Sequence, residues 1–197
     1  LTADEQSVLR RLGAFAGGFS LALAQEVAAD ERLDAWAVLE ALCTLVDKSV
    51  VAADAGDPVR YRLLETTRTY ALERLAEHNE VVRCSQRHAH AVRDLFVHTD
   101  EERFGEGGTL ALDSLMQRLG PELDNWRAAF DWAVGAGAQP ALAIALAGAG
   151  ALVLDHIGLA QEALDRMLPL RSLVKDDIAA PQAAAFWLRL ATLGTSG

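Results

Sequence analysis

Gly13 to Ser20 is spaced like a phosphate loop, G-x-x-x-x-G-x-S, in which backbone amides cradle a phosphate and a lysine reaches it. Phe19 stands where that lysine must be, and the stretch follows a helical pattern rather than a strand. It reads as a tight turn. His88-Ala89-His90 offers two imidazoles, but side chains two apart on a helix point about 200° away from each other and cannot chelate one ion. No cluster of Cys, Asp or Glu completes a metal set there. Asp100-Glu101-Glu102 is a charge run of the kind that usually faces solvent. No Ser/His/Asp or Cys/His order occurs with a nucleophile-elbow phrase. These residues imply no catalytic, cofactor-binding or metal site, and a non-enzyme.

The composition narrows the class further. Of 197 residues 51% are hydrophobic and 23% charged, which is globular rather than disordered. Lys and Arg number 18 against 28 Asp and Glu, a formal charge of −10, the wrong sign for a chain built to grip a polyanion. No apolar run approaches the roughly 18 residues of a membrane span; Ala138 to Leu154, the most apolar stretch, is mostly alanine and glycine. Cys43 and Cys84 each fall within a helical apolar pattern, so a disulfide framework is not expected and a reducing cytoplasm is. The chain opens at Leu1 and ends soon after a fresh amphipathic run, Ala183 to Leu193, as a segment of a longer protein would.

The elements that position these residues are mainly helical. Thr2-Ala3-Asp4-Glu5 is a capping box, and Val8, Leu9 and Leu12 form the stripe of the helix it starts. Ser20 caps a second helix with Leu21, Ala24 and Val27 on its stripe. A third starts at Asp34, burying Trp36 or Ala37, Val38, Ala41, Leu42 and Leu45. Ser49 to Ala53 and Val59 to Leu64 are predicted strands around the turn Asp54-Ala55-Gly56-Asp57-Pro58. Glu65 to Ala76 is helical again. Three helices, a hairpin and a closing helix make a winged helix, assigned to residues 1–78.

A helical linker is expected over 79–137, with a helix from Glu80 to about Val97, a loop at Asp100 to Gly108, and a helix at Leu110 to Leu119. Pro121 then starts another, in which Leu123, Trp126, Phe130 and Ala133 share one face. Trp126, Trp132 and Trp187 sit at helical spacing and are expected in the core. Residues 138–197 alternate helices at Pro140 to Leu154, Leu159 to Leu168 and Pro181 to Leu193. The interval of about 40 residues between Pro140 and Pro181 is near the period of paired-helix repeats, so this part is expected to begin a tetratricopeptide-like array of antiparallel helix pairs.

Specific phrases carry a family resemblance. Leu9 to Ser20 (LRRLGAFAGGFS), Leu42 to Val51, and Tyr61 to Leu75 (YRLLETTRTYALERL) resemble the winged-helix module of bacterial STAND-class signalling NTPases. Arg87-His88-Ala89 and Asp124 to Ala129 (DNWRAA) resemble the helical linker of the same proteins. These proteins include predicted ATPases and transcriptional regulators of the LuxR and antibiotic-regulator types. The resemblance covers about residues 1–135. It implies a parent with a nucleotide-binding domain before Leu1, where ATP or ADP and Mg would bind, and helical repeats continuing past Gly197. It also implies where the switch contact lies. In such proteins a Met-His-Asp-type motif marks the passage from the second wing strand into the next helix, its His contacting the bound diphosphate. The matching positions are Leu63-Leu64-Glu65, followed by Arg68 and Ala71. Leu64 replaces the His, so a side-chain bond to phosphate is impossible; Glu65, Arg68 and Leu64 remain as an interdomain contact or as packing.

A winged helix invites a DNA reading, since its third helix enters the major groove in DNA-binding members. Here that helix carries Asp34, Glu40 and Asp47, with Lys48 the only base at its end. Residues 1–77 hold 8 bases and 13 acids, a surface that repels phosphates; Arg60 and Arg62 on the wing are the contrary sign. Residues 78–98 are net +1 through Arg83, Arg87 and Arg93. The expected function is a non-catalytic regulatory fragment, with the winged helix docked on the nucleotide domain and the repeats open to a protein or small-molecule effector. The competing expectation is a free-standing winged-helix DNA-binding regulator with a helical effector or dimerisation domain.

Overall fold

The computed structural model describes residues 1–175 and 178–195. The chain divides into two compact units, Leu1–Ala91 and Val92–Gly197.

In the first unit α1 (Ala3–Leu12), α2 (Leu21–Ala28) and α3 (Ala35–Asp47) precede an antiparallel hairpin, β1 (Val51–Asp54) and β2 (Arg60–Leu63), closed by α4 (Glu65–Glu77). Each of the first three helices begins as its sequence dictates. Thr2 and Glu5 exchange both bonds of the capping box, at 3.2 and 3.0 Å. Ser20 Oγ accepts from Leu23 N at 3.2 Å, and Asp34 Oδ1 from Ala37 N at 2.8 Å. The hairpin register pairs Val51 with Leu63 and Asp54 with Arg60. Phe19 adds a one-residue third strand by exchanging both backbone bonds with Tyr61. That bridge, lying between α1 and α2 in sequence, completes a winged helix.

The core of this unit is built largely from the predicted stripes, but on α2 Leu23 takes the inward place expected of Leu21, which is only half-buried. Val8, Leu9 and Leu12 of α1 are buried together with Leu23, Val27, Val38, Leu42, Leu45, Ala71 and Leu75, as α1 packs on α2, α3 and α4. Phe15 and Phe19 stack at 4.4 Å between ring centroids, and His88 stands edge-on to Phe15 at 5.2 Å. A polar cluster ties the α1 side to the chain beyond α4. Arg11 donates to Asp30 at 2.6 Å, to Glu80 at 2.9 Å and to the Ala28 carbonyl at 2.7 Å, while Arg10 also donates to Glu80.

The helix α5 (Val81–Phe104) contains the boundary between the units. It runs seven residues past the expected end at Val97, through Asp100, Glu101 and Glu102. The loop expected at Asp100 to Gly108 therefore begins only after Phe104. The cause is long-range, because Asp100 is buried and paired with Arg189 at 2.8 Å.

In the second unit α6 (Leu112–Leu119) and a 3-10 turn at Gly120–Glu122 lead into α7 (Leu123–Val134). Then follow α8 (Pro140–His156), α9 (Ala160–Met167), a 3-10 stretch at Leu168–Leu173 and α10 (Ala180–Gly194). Apolar all round, α8 is the central helix, packed by α7, α9 and α10. Its glycines permit the closest approaches. A Cβ at Gly148 would stand 3.0 Å from the Phe186 backbone nitrogen, and one at Gly150 would overlap the Trp126 indole. Trp126 is buried as expected; Trp187 is 46% exposed, which corrects its assignment to the core. No helix among the described residues is long and apolar enough to cross a membrane.

Candidate functional site

The outward face of α3 is the surface that a DNA-reading winged helix turns toward the groove. Helical spacing buries Val38, Ala41, Leu42 and Leu45, which leaves Trp36, Glu40, Cys43 and Asp47 exposed on the other side. Trp36 is 66% exposed, so of the two residues offered for the first buried position neither is buried, and Trp36 is the more exposed. Its indole Nε1 donates to Glu40 Oε1 one turn on, at 3.0 Å, which fixes the ring beside a carboxylate. Exposure of Trp36 was legible in its offset from the Val38, Ala41, Leu42, Leu45 stripe.

Lys48 at the end of α3 and the two wing arginines have partners within the fold, whereas Arg32, just before the α3 cap, is exposed. Lys48 Nζ lies 2.7 Å from Glu5 Oε2 on α1, and that bond holds the Glu5 carboxyl below its usual range. On the wing, Arg60 Nη2 donates to the Gly18 carbonyl at 2.9 Å. Arg62 Nε stands 3.3 Å from Asp54 Oδ2 across the hairpin. Both wing arginines thus have partners within the fold.

The junction of β2 and α4 carries the other candidate contact. Leu64 is the residue before the first turn of α4, half exposed and with no side-chain capping bond. The Glu65 side chain is 83% exposed, and its carboxylate is 3.9 Å from Arg68 Nη1. Arg68 Nε donates to the Phe15 carbonyl at 2.6 Å, tying α4 to the turn after α1. Beside them Phe15, Gly17, Gly18, Arg62, Leu63 and Arg68 line a cavity of about 130 Å³. The structure brings Glu65 and Arg68 together and leaves Leu64 at the surface.

The remaining sequence candidates have structural surroundings. Phe19 is fully buried, and the Ser20 hydroxyl caps α2. His88 is buried against Phe15. No group of three or more His, Cys, Asp or Glu side chains gathers as a metal site among the described residues. Cys43 and Cys84 are free thiols; burial pushes the Cys84 pKa up to about 11.

Residues 1–76 match the family model of the winged helix-turn-helix domain. A protein of Mycobacterium tuberculosis named as a proposed HTH-type transcriptional regulator, Rv0890c, is 42% identical over 134 residues, which is 67% of this chain and 14% of that protein. Its counterpart Mb0914c of Mycobacterium bovis matches to the same extent. Rv0894 of Mycobacterium tuberculosis, an uncharacterized protein, is 44% identical over 82 residues, 41% of this chain and 21% of that one. The chain spans about one seventh of the length of the first two relatives. No solved structure matches it. The segment 1–76 is a winged helix-turn-helix domain, in a chain similar to proteins named as transcriptional regulators.

Proposed function

We propose that this chain is a regulatory segment of a transcriptional regulator in which the winged helix docks on protein instead of reading DNA through α3. One observation carries the reading. The outward face of α3 presents Trp36, Glu40, Cys43 and Asp47, two acids and no base. A DNA reader gains affinity by neutralising phosphates with Lys or Arg, and this face would bring carboxylates against them. In the finer form of the reading, the domain docks on a nucleotide-binding domain elsewhere in the parent through Leu64, Glu65 and Arg68, and ATP or ADP with Mg binds only in that domain. The helical unit then offers a surface to a protein or small-molecule effector, as the start of a helix-pair repeat array. Effector binding shifts the docked state toward release by its differential affinity for the two states.

A second reading is DNA binding. The helix-turn-helix match and the names of the Rv0890c and Mb0914c relatives favour it, as do Arg60 and Arg62 on the wing. Fluorescence anisotropy with labelled duplex DNA at stepped salt separates the two. Docking predicts no salt-dependent binding at moderate ionic strength. Tight, sequence-selective binding lost on substitution of Arg60 and Arg62 would establish the DNA reading.

A further inference from the structure

The face of α3 that is wrong for DNA is well formed for something else. From Trp36 to Asp47 it runs three turns, roughly 16 Å at the helical rise, long enough to seat one helix of a partner. Trp36 projects at one end, its ring held by the bond to Glu40, so an aromatic face and a carboxylate sit side by side. A guanidinium or ammonium placed there gains both a cation–π contact and an ionic one. Next to it, between α1 and α3, lies a groove of about 200 Å³ lined by Asp4, Glu5, Ala37, Glu40, Ala41 and Thr44. Ala37 and Ala41 give it a small apolar strip among polar neighbours, with Asp4 and Glu40 supplying the acids, since Glu5 is already engaged by Lys48 and the Thr2 N–H.

We propose that this face binds a Lys/Arg-bearing helix of a partner protein, with one cationic head on the Trp36–Glu40 pair and another side chain in the α1–α3 groove. The proposal rests on the reading that the winged helix docks on protein, and it names the partner's chemistry. Charge complementarity selects this occupant. Duplex DNA presents phosphates to Glu40 and Asp47, and a second copy in a two-fold contact presents the same carboxylates. Only a basic partner turns the face from repulsive to attractive.

The test uses the whole 197-residue chain and a fluorescein-labelled, alanine-based helical peptide carrying arginine at i, i+4 spacing. Its glutamate counterpart and a mixed-sequence duplex serve as parallel probes. The arginine peptide is expected to bind with salt-sensitive affinity, and the other two are not. Glu40→Lys with Asp47→Lys should weaken peptide binding about tenfold or more, since close interfacial charge pairs couple strongly. The same charge change made by Glu73→Lys with Glu106→Lys should leave it nearly unchanged. Trp36→Ala, a surface substitution that spares the core, should weaken binding about two- to fivefold, and it keeps the question open to measurement if the double variant unfolds. An arginine peptide that fails to bind, or that responds equally to both double variants, overturns the proposal while leaving the docking reading intact. Self-association abolished by the α3 reversal overturns it in favour of a second copy. Duplex binding that depends on α3 overturns both.

Discussion

Gly150 lacks a side chain where the Trp126 indole lies against α8, and Trp126 Nε1 donates to the Leu146 carbonyl of the same helix at 2.9 Å. Helix propensity favours alanine over glycine mid-helix by about 1 kcal/mol. Here the tertiary contact reverses that preference, because a methyl at Gly150 would overlap Trp126 Nε1 and Cε2. Gly150→Ala is expected to destabilise the second unit by about 1–3 kcal/mol, the usual penalty of overpacking. Gly120 is the control. It ends α6 in right-handed helical geometry, and a side chain there would point into open space beyond its own chain neighbours. Gly120→Ala should be neutral or stabilising by about 0.4–1 kcal/mol. Thermal melts of the two variants should move in opposite directions; a loss at Gly120 equal to that at Gly150 would refute the account.

The cluster around Arg11 makes the first unit acid-sensitive. Burial by itself would raise the Asp30 carboxyl, but the backbone N–H of Arg32, the Arg11 guanidinium and the Leu33 N–H together hold it at about 2. A carboxylate whose folded pKa is depressed stabilises the fold above its unfolded pKa, near 4, and loses that contribution as pH falls through about 2. The shift corresponds to about 2 kcal/mol. Asp30→Asn should therefore lower stability at pH 7 by about that amount and flatten the stability profile between pH 4 and pH 2, read by denaturant titration at each pH.

The same cluster marks what local pattern can and cannot convey. Caps at Thr2, Ser20 and Asp34 were legible because each acts within three residues, and the hairpin because its turn lies between two β-rich runs. The extension of α5 through Asp100 was not, since its partner Arg189 is 89 residues away and three acids in a row read as solvent-facing. Trp187 illustrates the converse. Its helical spacing suggested burial, but in α10 the inward positions are Phe186, Arg189 and Leu193. At the candidate site the acidity of α3 could be read directly. The engagement of Arg60 by Gly18 and of Arg68 by Phe15 could not, because both acceptors are backbone carbonyls of a turn remote in sequence.

Asp100 and Arg189 form a buried pair in the second unit, with the guanidinium also over the Phe104 ring at 4.3 Å. Burial pushes the Asp100 carboxyl up despite the Arg189 bond, so the pair stands against a desolvation penalty. Breaking one side strands the other charge. Asp100→Leu should cost about 3–5 kcal/mol, whereas Asp100→Leu with Arg189→Met should recover much of the loss. Additive losses in the double variant would show that the pair is not coupled.

Glu65 and Arg68 share a corner but not a role. Glu65 sits at the first position of α4 with its carboxylate in solvent, where it favours the helix dipole by a few tenths of a kcal/mol. Arg68 is part of the fold, its Nε bonded to the Phe15 carbonyl at 2.6 Å. Charge reversal should separate the two. Glu65→Lys should lower stability by less than about 1 kcal/mol. Arg68→Glu removes a charge-assisted bond worth about 1.5–3 kcal/mol and sets two carboxylates one turn apart, so its melting temperature should fall clearly. Under the proposed docking of this corner on a nucleotide domain, Glu65→Lys is then the cleaner probe. In the longer parent protein it should alter nucleotide exchange or basal activity without unfolding the winged helix. If Glu65→Lys leaves the parent's switching unchanged and Arg68→Glu acts only by unfolding, the corner packs the winged helix and takes no part in docking.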